Sequence, residues 1–329
     1  MNKIVSIIIP CYNGEQFIDS SIASVYEQDY PNVELIIVDD GSTDKSKDII
    51  CSWIDKFCAK GWKLQYVYQD NQGIGAAVNT GLKYVSGDYL TLLDADDRFL
   101  PASLKLRAMF LEDHPDYSGV RSNGWRVEGS GRSLFVTDEK EKMISDLFSA
   151  LTEGKTNNWA GTYLIRTTVL FDVYPDRNIY PSRAGQNFQL LLPVAYRRKF
   201  GFIDEPLMEY NLRENSLSQV SSLDARFEFN MRNAEGWRDI YINTIRTFIS
   251  DPSEIALSIR KYDATFHRTA IYRAIICDKP DCIKEHYRKL CATGFVTIND
   301  KVEYFTATHS WLAILFRIVR KLRNILSIH

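Results

Sequence analysis

Residues 3–10 (KIVSIIIP) form a nearly unbroken apolar run rich in β-branched side chains. Such a run reads as a strand buried on both faces, the habit of a parallel sheet. Helical spacing follows over 15–27, with Phe17, Ile18, Ile22 and Val25 on one face. The turn Tyr30-Pro31-Asn32 leads into a second apolar strand at 33–38 (VELIIV). A helix is expected over about 43–59, where Ser42 or Thr43 can cap the first N–H groups. A strand at 63–68, a helix at about 73–85 and a strand at 88–93 continue the alternation. Alternating strands and helices predict an α/β fold, a mostly parallel central sheet flanked by helices. Ligands in such sheets sit beyond the carboxyl ends of the strands.

From about 118 to 215 short strands mix with helices. A helix is expected over 184–199, then a strand over 201–212 interrupted by Pro206. Beyond about 222 the pattern is mainly helical, with breaks at Pro252 and at Lys279-Pro280-Asp281. This predicts an α/β unit over 1–218, divided near 117, and a helical C-terminal region over 219–329.

Composition changes this picture little. With 45% hydrophobic and 25% charged residues, the chain has an ordinary globular balance. A net charge of −2 lacks the basic excess of a general nucleic-acid binder. The six cysteines show no CxxC pair, and none of the five histidines has metal spacing. The apolar start is too short for a signal peptide, and no run of 18 apolar residues occurs, so a cytoplasmic protein is expected.

Chemistry collects at three strand ends. The first reads Pro10-Cys11-Tyr12-Asn13-Gly14-Glu15, the second Asp39-Asp40-Gly41-Ser42, the third Asp94-Ala95-Asp96-Asp97. A parallel sheet opens all three on one edge, where five aspartates repel one another. A bound cation relieves that repulsion, and hard carboxylate oxygens favour Mg²⁺ or Mn²⁺. Such an ion can bridge a diphosphate. Asp39 or Asp40 could accept an imide N–H of a base, and Tyr12 could stack on it. Singly, each acidic pair is an ordinary cap or turn; the set in this order is what carries the reading.

The segments SIIIPCYNGE, ELIIVDDGSTD, NQGIGAAVNTGL and GDYLTLLDADD together resemble the inverting family 2 glycosyltransferases of GT-A fold, strongly over about 4–101 and more weakly over 160–218. The resemblance implies that residues 1–117 bind a nucleotide-sugar donor, in first place a UDP-sugar, and that 118–218 face a glycan or lipid-linked acceptor. It implies donor contacts from Pro10, Tyr12, Glu15, Asp39, Asp40, Asn71, Gly73, Asn79 and Asp94, with Gly81 in the same segment. It places Mn²⁺ or Mg²⁺ on Asp96, Asp94 and Asp97, and a phosphate contact on Arg213. Two departures stand out. Val78 occupies a position where relatives often carry Arg. The usual Glu-Asp pair at the catalytic-base helix is Gln186-Asn187, and an amide cannot accept a proton. A base from elsewhere (Asp172, Asp176 or Glu205), an already anionic acceptor, a positioning role for Asn187, and a non-catalytic nucleotide-sugar or glycan-binding relative all stay open. A sugar nucleotidyltransferase fits less well, since strand 1 is not followed by a basic Gly-rich phosphate loop. Trp159 is a candidate acceptor platform or a core aromatic.

Segment 311–328 places Leu315, Ile318, Val319, Leu322, Ile325 and Leu326 on one helical face, opposite Arg317, Arg320, Lys321 and Asn324. That pattern suits a peripheral helix on an anionic membrane, or a helix docked on the same chain or a second copy.

Overall fold

A computed structural model describes residues 3–156, 159–212 and 223–309. Arg213 and the segment 311–328 lie outside the described residues. The chain forms two units, one of residues 1–216 with 239–250, the other of 217–238 with 251–329.

In the first unit, β1 (Val5–Cys11) pairs in parallel with β2 (Val33–Asp40), and all eight residues of β2 are buried. Each buried Ile, Leu or Val here contributes roughly 1.5–3 kcal/mol over exposure. The outer parallel partner of β2 is β3 (Lys63–Gln69), and on its other side β1 pairs in parallel with β4 (Tyr89–Leu92). Between them run α1 (Ile18–Tyr26), α2 (Ser46–Cys51), α3 (Ile54–Ala59) and α4 (Ile74–Leu82). The single helix expected over 43–59 is two, split at Ser52-Trp53. Trp53 turns its indole N–H onto Asp19 at 2.8 Å and packs against Tyr26 and Phe57, an anchorage that a straight helix would not give.

The remainder of the unit comprises β5 (Arg98–Phe99), α5 (Ser103–Asp113), β6 (Tyr117–Glu128), β7 (Gly131–Leu134), α6 (Glu139–Lys142), α7 (Leu147–Thr152), β8 (Tyr163–Arg166), α8 (Thr167–Val173), α9 (Asn187–Ala195) and β9 (Lys199–Asn211). Sheet order is β3-β2-β1-β4-β8-β6-β9-β5, with β7 on β6. The parallel character ends at β4, because β8 runs antiparallel to it. Pro206 does not interrupt β9. A register shift places Ile203 opposite Ser122 and Pro206 opposite Asn123, so a bulge absorbs the missing donor. The helix expected over 184–199 is shorter, ending at Ala195 two residues after Pro193.

The second unit is helical, with α10 (Leu223–Ile245), α11 (Pro252–Ile276), α12 (Pro280–Thr293) and α13 (Ile298–Thr308). Residues 239–250, beyond the division expected at 218, group with the first unit. There Tyr241 packs on Phe188, and Phe248 on Phe148 and Tyr196. Within the helical unit Arg238 grips Asp263, and Arg268 grips Asp300. No helix among the described residues is long and apolar enough to cross a membrane.

Arg107, on α5, is wholly buried and hydrogen-bonds to Ser103 and to the carbonyls of Gly161 (2.9 Å) and Tyr163 (3.1 Å). Burial pushes its guanidinium down to about 9. Truncation would leave those carbonyls unpaired and open a void. We therefore expect Arg107→Ala to cost on the order of 3 kcal/mol, read by urea denaturation; a loss within error of zero would show that the 161–163 turn stands without it.

Candidate active site

Strand register brings the expected ends together. Cys11 is opposite Asp39, and Ile8 is opposite Leu92, so Asp94 leaves the sheet level with Pro10. Tyr12 follows β1 with its ring 55% exposed, open to a stacking partner. The loop after it is tied to the loop after β2. Asn13 donates its N–H to Ser42 Oγ at 2.9 Å and accepts from Thr43 N–H at 2.8 Å. Glu15 accepts from Lys45 N–H at 3.0 Å, and its own N–H donates to Asp44. Glu15 therefore helps shape the cleft wall. Cys11 is buried, and burial pushes its thiol up to about 11, which keeps it un-ionised.

Asp39 and Asp40 are buried and heavily engaged. Asp39 accepts from Ser42 N–H at 2.8 Å and from the Tyr66 hydroxyl at 2.7 Å. Asp40 accepts from the Gln69 amide (2.7 Å), Gln72 N–H (2.9 Å) and Gly73 N–H (2.8 Å). Asp40 thus folds the 69–73 loop back over the end of β2. Gly73 takes φ of +91°, which a side chain would strain. Asn79, expected among the donor contacts, instead spends both ends of its amide on Ile179: it accepts from the N–H at 2.7 Å and donates to the carbonyl at 3.0 Å. It braces segment 179–183 against α4. Gly81 is likewise internal, its Cα packed so close to Ile8 that a Cβ would lie 2.7 Å from that side chain.

The Asp94–Asp97 loop is pinned from β9. Asn211 donates its N–H to Asp97 at 3.1 Å and its amide to the Asp96 carbonyl at 2.7 Å. Asp97 is 1% exposed, and its second carboxylate oxygen is buried without a hydrogen-bond partner. Burial first, and the nearby Asp94 charge second, hold its carboxyl well above the usual range. Asp97 is therefore a buried pin of the loop, the least accessible of the three carboxylates expected to hold the ion. Among the described residues no three acidic, histidine or cysteine side chains converge on a ready-made metal cluster. Asp94 and Asp96, both half-buried at the sheet edge, still offer hard oxygens. Two such carboxylates fit an ion whose remaining positions are filled by phosphate oxygens and water.

Because β8 runs antiparallel to β4, its first residue arrives at the edge where β4 ends. That residue is Tyr163, fully buried, its phenol raised by burial and then by the Asp94 charge. Its hydroxyl donates to Asn187 Oδ1 at 2.6 Å. Asn187 is the first residue of α9, and Gln186, buried, precedes it as the N-cap. The strand register sets Tyr163 level with Leu92, two residues before Asp94, and Tyr163 in turn holds Asn187. With its carbonyl accepting from Tyr163, Asn187 has its N–H₂ end to present as a donor. Asp172, Asp176 and Glu205 are exposed, and none of them hydrogen-bonds to Tyr163 or Asn187. Trp159 stacks parallel on Tyr210 at 5.6 Å, with Phe135 at 4.1 Å and the Arg126 guanidinium 5.2 Å from its ring centre. Its aromatic surface is already contacted by side chains, the pattern of a packed wall. Tyr210 precedes Asn211, whose bonds to Asp96 and Asp97 bring that wall beside the acidic loop.

Sequence reasoning missed Tyr163, Arg107 and Asn211. An antiparallel return strand leaves no mark that separates its first residue from any other buried tyrosine. Asn211 was visible only as part of a strand.

In fold the chain is similar to solved glycosyltransferases, and it has the GT-A architecture. It is similar to residues 1–349 of S. aureus TarS in complex with UDP-GlcNAc, at 20% identity and a TM-score of 0.58, over 93% of this chain and 91% of that one. It is also similar to the mannosyltransferase PcManGT of Pyrobaculum calidifontis in complex with GDP-Man and Mn²⁺, at 18% identity and a TM-score of 0.55, over 94% and 80%. Residues 6–171, just over half of the chain, match Glycosyl transferase family 2, and the chain belongs to that family. An uncharacterized glycosyltransferase of Haemophilus influenzae is 46% identical over 138 residues, 42% of this chain and 54% of the relative. One of Rickettsia bellii is 30% identical over 217 residues, 64% of this chain but 29% of the relative. The chain therefore spans under a third of that relative's length.

The Tyr163–Asn187 bond is open to a direct test. Tyr163→Phe is expected to lower turnover about tenfold, with nucleotide affinity and melting temperature little changed. Sugar-nucleotide turnover and nucleotide titration check this, and turnover at the wild-type level would remove Tyr163 from any positioning role.

Proposed function

We propose that the chain transfers a sugar from a nucleoside-diphosphate donor to a glycan or lipid-linked acceptor with inversion. The observation that carries this is the Tyr163–Asn187 hydrogen bond at the sheet edge where the aspartate-bearing loops of the family motif leave the strands. The nucleoside would lie across Tyr12 and the ends of β2 and β3, and the diphosphate at Asp94 and Asp96. Mn²⁺ or Mg²⁺ held by Asp96 and Asp94 would neutralise charge on the departing diphosphate. The PcManGT complex with Mn²⁺ supports that choice of ion, and the TarS complex with UDP-GlcNAc supports a UDP-sugar donor.

Asn187 would donate its amide N–H to the attacking acceptor oxygen and hold it in line with the anomeric carbon, a contribution of orientation rather than proton removal. A nucleophile that is anionic before it binds suits this best, since a bound N–H donor stabilises an oxygen that carries charge. Peripheral membrane contact through 311–328 is compatible with a lipid-linked acceptor.

Calorimetric titration with UDP, GDP, CMP and dTDP, with and without Mn²⁺, tests the donor site. One nucleotide should bind in a metal-dependent way and lose at least tenfold in affinity in Asp96→Ala. Asn187→Ala should keep that affinity and lose turnover. A folded protein that binds none of the four contradicts the donor assignment; full turnover in Asn187→Ala contradicts the orienting role.

A further inference from the structure

The loop that Asp40 holds down carries a cation on its outer side. Arg183, in the stretch Tyr180-Pro181-Ser182-Arg183, crosses directly over Gly73. A Cβ built on Gly73 would lie 2.7 Å from Arg183 Cγ, so only glycine lets the side chain pass. Beyond it, Arg183 Nη2 donates to Asn71 Oδ1 at 3.2 Å. The stretch itself is fixed twice to α4. Asn79 pairs with both backbone groups of Ile179, and Gly75 N–H donates to the Ser182 carbonyl at 3.2 Å. A Cβ on Gly75 would lie 2.6 Å from that same carbonyl oxygen, so the backbone approach is tight. Arg183 is therefore a placed side chain on an anchored segment, although it is exposed.

Its place along the sheet edge decides what it could read. The loop it crosses is bonded to Asp40 at the end of β2, while Asp94 and Asp96 follow β4. In the order β3-β2-β1-β4 these ends stand two strands apart, about 10 Å at ordinary strand spacing. With the diphosphate at Asp94 and Asp96, Arg183 lies at the nucleoside end. At that end Asp40 accepts three hydrogen bonds and Asp39 two from the protein itself. The guanidinium fork of Arg183 adds N–H donors there that can meet the carbonyl edge of a base.

We propose that Arg183 reads the donor's base, selecting one with a carbonyl edge, uracil or guanine, over cytosine or adenine. This rests on the donor-site reading above. A guanidinium offers only N–H donors. It pairs with carbonyl oxygens and ring nitrogens, and it meets an exocyclic amino group with like polarity. Arg183 would thus set base specificity from outside the strand-end motifs.

The experiment compares UDP, GDP, CDP and ADP binding to the full chain in Mn²⁺, in the wild type, Arg183→Ala and Arg183→Lys, with inorganic pyrophosphate as a base-free probe. The wild type should favour UDP or GDP. Arg183→Ala should weaken that preferred nucleotide about tenfold while CDP, ADP and pyrophosphate change less than about twofold, so that the preference flattens. Arg183→Lys, which keeps the charge but loses the fork, should flatten it too. Unaltered melting temperatures keep folding out of the comparison. An equal loss for all four nucleotides and pyrophosphate would make Arg183 a general phosphate contact and overturn base reading. So would unchanged affinities, or a wild-type preference for CDP or ADP. A wild type that binds none of them overturns the donor site itself, and this inference with it.

Discussion

Five aspartates converge on one edge of a sheet, and each must be accommodated there. The protein treats them differently. Asp39 and Asp40 are buried and satisfied by donors from their own and neighbouring loops. Asp97 is buried with one oxygen unpartnered, and its ionised form is disfavoured. Asp94 and Asp96 stay half-exposed. Three of the carboxylates are buried within the protein and two lie nearer the surface of the edge.

Much of this was legible in the chain. The buried runs at 3–10 and 33–38 fixed parallel strands, and parallel strands fix which residues share an edge. The identity of the edge residues therefore followed from local sequence. Their roles did not. Asp97 is buried and takes the backbone N–H of Asn211, more than a hundred residues away, on its carboxylate. Asn79 sits in a segment that reads as donor-lining, yet its partner is Ile179. The helix expected over 43–59 broke because Trp53 had a tertiary anchor on Asp19 that no periodicity encodes. Where a function depended on one strand it could be read; where it depended on a pairing between distant segments it could not.

The amide at position 187 is the sharpest case. From sequence it reads as the loss of a base. In the fold it is still placed, at the first turn of α9 with its carbonyl on a buried phenol. A position merely released from constraint would not need so definite a partner. An amide there carries N–H donors that a carboxylate lacks.

The bulge in β9 has a consequence of its own. Two residues, Asp204 and Glu205, stand between Ile203 and Pro206 with no counterparts between Ser122 and Asn123 on β6. They set the phase with which β9 resumes at Pro206, and a second register shift before Glu209 adjusts it again. A strand alternates faces at every residue. Chain length along this stretch of β9 is thus a gauge for the loop of Asp96, which Asn211 reaches only after both irregularities.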